Sequence, residues 1–268
     1  MGIITATAGV ITLTLLFLNS LSSGLKTPES SQCYKGKLYI SNIGNLPPDS
    51  KDGDGYITLA SLNGKIIKRK FTKGLNAPKG ITFADGKLFV ADIDTVVVID
   101  PSTGKILHKI PIPGARFLND TAFNGKYVFV SDTLTNTIYQ INPSTYTVSV
   151  FLQNNELEGP NGIAFTPSGE MIVVSFGNGK VFQINKDKTL KVITRITSYP
   201  NSLDGVVVLK DGTIIFSNFS GGKIYAYKNG KLKVLKSGLT TPADIGYCNG
   251  KLYVPEFNAN KVEIFKVK

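Results

Sequence analysis

Two short apolar runs separated by a polar turn, reached through a proline or a polar residue, recur along the whole chain. The phrase is plainest in LEGPNGIAFTPSGEMIVVSF, residues 157–176. It returns as LNAPKGITFADGKLFVAD (75–92), RFLNDTAFNGKYVFVSD (116–132), SLDGVVVLKDGTIIFSN (202–218) and TTPADIGYCNGKLYVPE (240–256). KTPESSQCYKGKLYISN (26–42) makes six. The positions that open the first run are Glu29, Lys79, Asn119, Asn161, Asp204 and Ala243, spaced 50, 40, 42, 43 and 39 residues apart. Repeats of about 40–45 residues that each hold four short strands are propeller blades. The pattern therefore predicts an all-β fold, a six-bladed β-propeller with four antiparallel strands per blade.

The alternation within the repeats sharpens this. In the second blade it predicts strands over 80–83, 88–91, 96–99 and 106–110. Along the first strands, apolar residues such as Ile81/Phe83, Ile163/Phe165 and Val206/Val208 alternate with small ones such as Gly80, Gly162 and Gly205. Successive strand residues face opposite ways, so one face packs on a neighbouring blade while the small face crowds the propeller axis. Asp85-Gly86, Asn124-Gly125, Ser168-Gly169, Asp211-Gly212 and Asn249-Gly250 fall where hairpin turns are needed. The last repeat holds only three strands of its own, near 245–248, 252–254 and 261–267. Its fourth is expected from the N-terminus, near 16–22, because closing the ring removes an open sheet edge.

That expectation competes with another for the same residues. Positions 2–18, GIITATAGVITLTLLFL, are uncharged and apolar, and a small polar stretch follows. The division is thus 1–22 as a signal peptide or N-terminal anchor, part of which can form the closing strand, and 23–268 as the propeller. Export to the periplasm or the extracellular space follows, with a membrane tether if the segment is retained. Cleavage after Ser22 would remove the closing strand. Cys33 and Cys248 suit an oxidising compartment, and the first and last blades are neighbours, so a ring-closing disulfide and two free thiols both remain open.

Composition changes the picture little. In 268 residues, 42% are hydrophobic and 18% charged, enough for a full core. The formal net charge of +11 raises the question of nucleic acid. The lysines, however, sit at turns (Lys37, Lys87, Lys126, Lys251) and on outer strands (Lys65, Lys68, Lys70), with no basic and aromatic stripe. No nucleic-acid partner is expected, and the chain is taken as a monomer.

The six first-strand openings form a ring at one depth on the axis. Glu29, Asn119, Asn161 and Asp204, with Asp120 and Asp244 beside them, would make a cage of hard oxygens for Ca²⁺, Mg²⁺ or Mn²⁺. Asn and Asp also suit the turns before strands, so pattern alone leaves both readings open. The loop over 43–55 should hang above the ring as a lid. Within SKDGDGYITLAS (50–61), Asp52, Asp54 and Gly55 keep EF-hand register, but Ser50 and Ser61 replace the end ligands. A glycine-rich hairpin loop is the better reading there. The single histidine, His108, falls on an outer strand, which removes a Ser-His-Asp triad and a His-rich zinc site.

TPES (27–30), FLND (117–120), PNG (160–162) and LDG (203–205) resemble motifs of the SMP-30/gluconolactonase/luciferin-regenerating family. The resemblance covers essentially residues 25–268. It implies a six-bladed propeller carrying a lactonase with one divalent cation, Ca²⁺ first, with Zn²⁺, Mg²⁺ or Mn²⁺ also used. By that resemblance Glu29, Asn161 and Asp204 hold the metal, Asp204 doubles as the catalytic base, and Asn119 binds substrate. Arg116 and Lys79 are taken with it as substrate-binding, Lys79 alternatively as a solvated rim residue. Arg116 lies three residues before Asn119, where the family's arginine lies two before. The expected function is an exported, metal-dependent lactone or ester hydrolase acting on a small polar substrate. The alternative is a non-enzymatic binding propeller of the NHL type.

Overall fold

Tight polar turns set the hairpins from which the fold is built. Asp85 and Gly86 both take positive φ (48° and 74°), as do Asn249 and Gly250 (50° and 72°). This left-handed pair matches the twist of the flanking strands, and Asn, Asp and Gly adopt it at least cost. Twenty-four strands result in a computed structural model that describes residues 11–268.

After β1 (Leu15–Leu21), blade 1 is β2 (Pro28–Tyr34), β3 (Lys37–Asn42), β4 (Gly55–Ser61) and β5 (Ile66–Leu75). Blade 2 is β6 (Pro78–Ala84), β7 (Lys87–Asp92), β8 (Thr95–Ile99) and β9 (Ile106–Pro111). Blade 3 is β10 (Leu118–Phe123), β11 (Val128–Asp132), β12 (Thr137–Ile141) and β13 (Val148–Gln153). Blade 4 is β14 (Pro160–Phe165), β15 (Met171–Ser175), β16 (Lys180–Ile184) and β17 (Leu190–Arg195). Blade 5 is β18 (Leu203–Val208), β19 (Ile214–Asn218), β20 (Lys223–Lys228) and β21 (Lys231–Lys236). Blade 6 contributes β22 (Gly246–Cys248), β23 (Lys251–Glu256) and β24 (Lys261–Val267). Every sheet is four-stranded and antiparallel, and the predicted six-bladed propeller is what forms.

The fourth strand of blade 6 is β1. It pairs antiparallel with β24 from Leu15↔Val267 to Leu21↔Val262. The chain thus spends residues 15–21 on ring closure, as the three-strand last repeat predicts. The first ten residues of the expected leader lie outside the described residues. Among the described residues no helix is long and apolar enough to cross a membrane. A Cys33–Cys248 disulfide joins β2 to β22 across the same seam.

The core is divided among the blade interfaces. Tyr39, Leu59 and Phe71 meet Ile81, Val90 and Val97 between blades 1 and 2, and Phe129 and Ile138 meet Ile163, Val173 and Phe182 between blades 3 and 4. The seam between blades 6 and 1 has its own cluster, in which Leu21, Leu38 and Ile40 pack on Tyr253, Val262 and Ile264. Each sheet therefore buries both faces, one against each neighbour, and no blade can form its core alone.

The glycines of the first strands mark how close these strands come. A Cβ on Gly80 would lie 2.4 Å from the Asp120 Cα, and one on Gly205 would lie 2.5 Å from the Asp244 Cα. At Gly162 it would meet the Asp204 carbonyl oxygen at 2.5 Å. The small residues on the axial face are thus a steric requirement, as the alternation predicts.

Candidate functional site

Each first strand breaks its ladder at the ring position. The register to the second strand shifts between Pro28 and Ser31, Pro78 and Ile81, Leu118 and Thr121, Pro160 and Ile163, and Leu203 and Val206. Glu29, Lys79, Asn119, Asn161 and Asp204 all sit in these interruptions. Serine hydroxyls replace the lost ladder bonds: Ser41 accepts from the Ser30 N–H at 2.9 Å, Ser131 from Asp120 at 3.0 Å and Ser217 from Gly205 at 2.8 Å. In these three blades the hydroxyl pairs an amide that the interruption would otherwise leave free.

A second repeated device fixes the approach to the ring. The last residue of the second strand turns a polar side chain onto the segment that leads into the first strand. Asn42 Oδ1 accepts from the Lys26 N–H at 3.1 Å. Asp92 accepts from Asn76 and Ala77, and Asp132 from Arg116 and Phe117, at 2.6–3.1 Å. Glu256 does the same for Thr240. These carboxylates and amides are structural.

The ring lies at the floor of a cavity of about 600 Å³. Glu29, Asn119, Asn161 and Asp204 all line it and are all nearly inaccessible to solvent. One oxygen of each, Glu29 Oε2, Asn119 Oδ1, Asn161 Oδ1 and Asp204 Oδ1, is buried without a hydrogen-bond partner. Buried polar atoms are otherwise nearly always paired, so four unpaired oxygens on one cavity need a missing partner. Two carboxylates and two carboxamides are a hard-oxygen set, which suits Ca²⁺ or Mg²⁺ and lacks the nitrogen and sulfur that zinc favours. Among the described residues no group of three or more His, Cys, Asp or Glu is arranged to hold a metal, so any cation here needs the carboxamides.

The electrostatics agree. Burial first, then repulsion from Asp204 and Asp244, raises the Glu29 carboxyl well above its ordinary value, with Lys79 opposing. Burial and Asp244 likewise raise Asp204. Asp244 is pushed by burial to about 7, against its hydrogen bond from Ser30 Oγ. Asp120 is raised by burial and by Asp244, although its Oδ2 accepts from the Ile163 N–H at 2.7 Å. Asp120 and Asp244 thus have partners and bridge blades, whereas Glu29 and Asp204 keep an oxygen free.

Of the two further substrate residues expected, the structure brings Lys79 to the cavity and not Arg116. Arg116 is exposed and does not line the cavity. Phe117, two residues before Asn119, occupies the wall instead, because in extended chain a one-residue offset reverses the side chain. Lys79 does line the cavity but is no solvated rim residue, being only 2% exposed. Its Nζ donates to the Pro48 carbonyl at 2.8 Å and to the Ala77 carbonyl at 3.1 Å, and lies 4.3 Å from the centre of the Phe117 ring. Burial lowers it to about 8 against the pull of Glu29, Asp92 and Asp49.

Pro48 belongs to the loop between β3 and β4, which arches over the ring as expected and lines the cavity with Ile43, Leu46 and Asp49. The EF-hand-like part of this loop is a hairpin. Asp54 is engaged by the Asn45 N–H at 2.9 Å, and residues 55–61 are the strand β4. His108 is exposed on β9, stacked at 4.6 Å on Tyr146.

The pattern of first strands did not reveal the cavity wall. The residue that follows each second strand is Ile43, Ile93, Thr133, Phe176, Phe219 and Phe257, and all but Ile93 line the cavity. Phe176 and Phe219 rings are 6.0 Å apart, and Phe219 and Phe257 are 5.5 Å apart. Five of these six are apolar, a periodic signal one residue beyond the run used to find the blades.

No family model matches the chain, and no curated protein matches it. Solved structures do. A candidate gluconolactonase superposes with a TM-score of 0.68 at 16% identity, over 97% of this chain and 93% of that one. Virginiamycin B lyase from Staphylococcus aureus gives 0.66 at 16%, over 96% and 88%. A chain of the nidogen/laminin complex gives 0.66 at 15%, over 88% and 87%. At these identities the likeness is one of fold.

Proposed function

We propose that the chain is a divalent-cation-dependent hydrolase of a lactone or ester, with its centre on Glu29, Asn161 and Asp204. The observation that carries this is the set of four buried oxygens without partners around one cavity. A bound hard cation supplies positive charge that polarises the substrate carbonyl. The Asp204 carboxylate, which lines the cavity beside these oxygens, takes a proton from the attacking water. Asn119 is held by its Nδ2–H donation to Thr133 Oγ1 at 3.2 Å, which leaves its Oδ1 aimed at the same space. The lid carried on Pro48 limits water around the reacting ester.

The candidate gluconolactonase among the neighbours is consistent with this chemistry. A lyase of the virginiamycin B type is disfavoured. A histidine-to-alanine variant of that enzyme is catalytically inactive, and the one histidine here is exposed on an outer strand and does not line the cavity. A non-enzymatic binding propeller would have no use for four unpaired oxygens. We also infer export, to the periplasm or beyond the cell, with Leu15–Leu21 retained because β1 belongs to the ring. The disulfide suits that setting.

A panel of lactones and esters, run with and without a chelator and paired with metal analysis of the purified protein, tests the function. Chelator-sensitive hydrolysis and one retained cation are expected. Activity unaffected by chelator, or no cation at the site, would overturn it.

A further inference from the structure

The cavity wall specifies the substrate more closely than its floor does. Phe176, Phe219 and Phe257 form one contiguous aromatic side, supplied by blades 4, 5 and 6. Phe117 faces them from blade 3. Two leucines flank the opening, Leu46 on the lid at 57% exposure and Leu134 after β11 at 56%. Solvated leucines of this size at a cavity mouth are unlike the polar rim that a sugar would need.

Away from the floor, Asp49 and Asn258 are the polar side chains of the cavity left open to solvent, and the other polar groups of the wall are engaged. Two N–H groups of Lys79 go to the Pro48 and Ala77 carbonyls. Thr133 Oγ1 accepts from Asn119 and donates to the Pro160 carbonyl at 3.0 Å. Arg116 lies outside. A polyhydroxylated ring would bury several hydroxyls without partners, and each such loss is unfavourable. An alkyl or aryl group would instead displace water from aromatic surface, the usual source of affinity in a cavity of this size.

We propose that this site takes lactones or esters bearing an apolar alkyl or aryl group, not sugar lactones. The apolar part lies along the Phe176–Phe219–Phe257 wall, and the carbonyl faces Glu29, Asn119, Asn161 and Asp204. The proposal rests on the hydrolase reading for its chemistry but not for its binding. Two probes separate them. δ-Decalactone and D-glucono-δ-lactone are compared as substrates with saturating Ca²⁺. The cyclic ether 2-pentyltetrahydropyran has the ring and tail of δ-decalactone but no carbonyl, and it reports binding alone by calorimetry.

δ-Decalactone should be hydrolysed with kcat/KM at least ~100-fold above the sugar lactone, a ratio that a few buried methylenes can generate. The ether should bind. Leu134→Glu, at an exposed position that folding tolerates, should weaken ether binding about tenfold or more, as should Phe219→Ser. Both should raise KM for δ-decalactone and leave Ca²⁺ retention unchanged. Preference for the sugar lactone, or ether binding indifferent to both substitutions, overturns the apolar assignment. Ether binding with neither lactone hydrolysed keeps it and overturns the hydrolase. Sugar-lactone hydrolysis without ether binding does the reverse, and failure of all three assays overturns both.

Discussion

Asp204 is a buried carboxylate whose charge is opposed both by burial and by Asp244, and its free oxygen makes it costly to the empty protein. Asp204→Asn should therefore raise the melting temperature measured in chelator, while abolishing hydrolysis and the stabilisation by Ca²⁺. In the wild type that stabilisation, at a hundred times Kd, is about 2.7 kcal/mol, or roughly 5–10 °C. Asp52→Ala, in the hairpin once resembling a calcium loop, should leave both intact. A Ca²⁺ shift that survives in Asp204→Asn and vanishes in Asp52→Ala would sink the assignment. The pH dependence follows from the same groups. Glu29, Asp120, Asp204 and Asp244 are raised, Asp244 to about 7. A carboxyl raised on folding contributes stability that is full below its unfolded value, about 4, and is lost as pH rises through the folded one. The chelated protein should lose melting temperature between about pH 4 and pH 8 relative to the Ca²⁺-loaded protein. The Ca²⁺ shift should be larger at pH 8 than at pH 5, and an equal shift at both would refute this account. The floor residues were legible because they open a repeated phrase. Arg116 was misplaced because a one-residue offset in extended chain changes the face, which spacing to a motif does not weigh.

At the scale of elements, β1 decides what the N-terminal segment is for. Leu21 is buried at 4% exposure in the seam cluster, and the Phe17 ring meets Phe265 edge-on at 5.8 Å. Removing residues through Leu21 would expose the edge of β24 and the side chains of Val262 and Ile264. Burial of one leucine alone is worth about 2 kcal/mol, so the truncated protein should melt on the order of 5 °C lower or more. It should also self-associate through the open edge at moderate concentration. An unchanged, monomeric melting curve would mean that the ring closes without this strand. The sequence carried this closure in a count of strands, three where every other repeat has four. It carried the apolar wall too, in Phe176, Phe219 and Phe257. That signal sits after the second strand, where only the third dimension shows that five blades turn the position into one cavity.

For the whole molecule, the ring is fastened twice at one seam, by β1 on the outer edge and by Cys33–Cys248 between β2 and β22. The disulfide spans 215 residues, for which loss of chain entropy sets a stabilisation of about 5 kcal/mol. Replacing both cysteines by serine should lower the melting temperature by up to roughly 10–20 °C. The two fastenings should not act independently. While the disulfide holds, blades 1 and 6 stay at high effective concentration, and loss of β1 leaves their interface engaged. While β1 holds, the same is true without the disulfide. With both removed, the ring is kept shut by the contacts of Leu38 and Ile40 with Tyr253, Val262 and Ile264 and by a few hydrogen bonds across the seam, such as Asp244 N–H to the Glu29 carbonyl at 2.9 Å. The combined variant should then be destabilised beyond the sum of the two single changes, by about 1 kcal/mol or more. Denaturant melts of the wild type, the two single variants and the combined variant measure this coupling. Strictly additive losses would show that β1 and the disulfide stabilise their own blades rather than the closure of the ring.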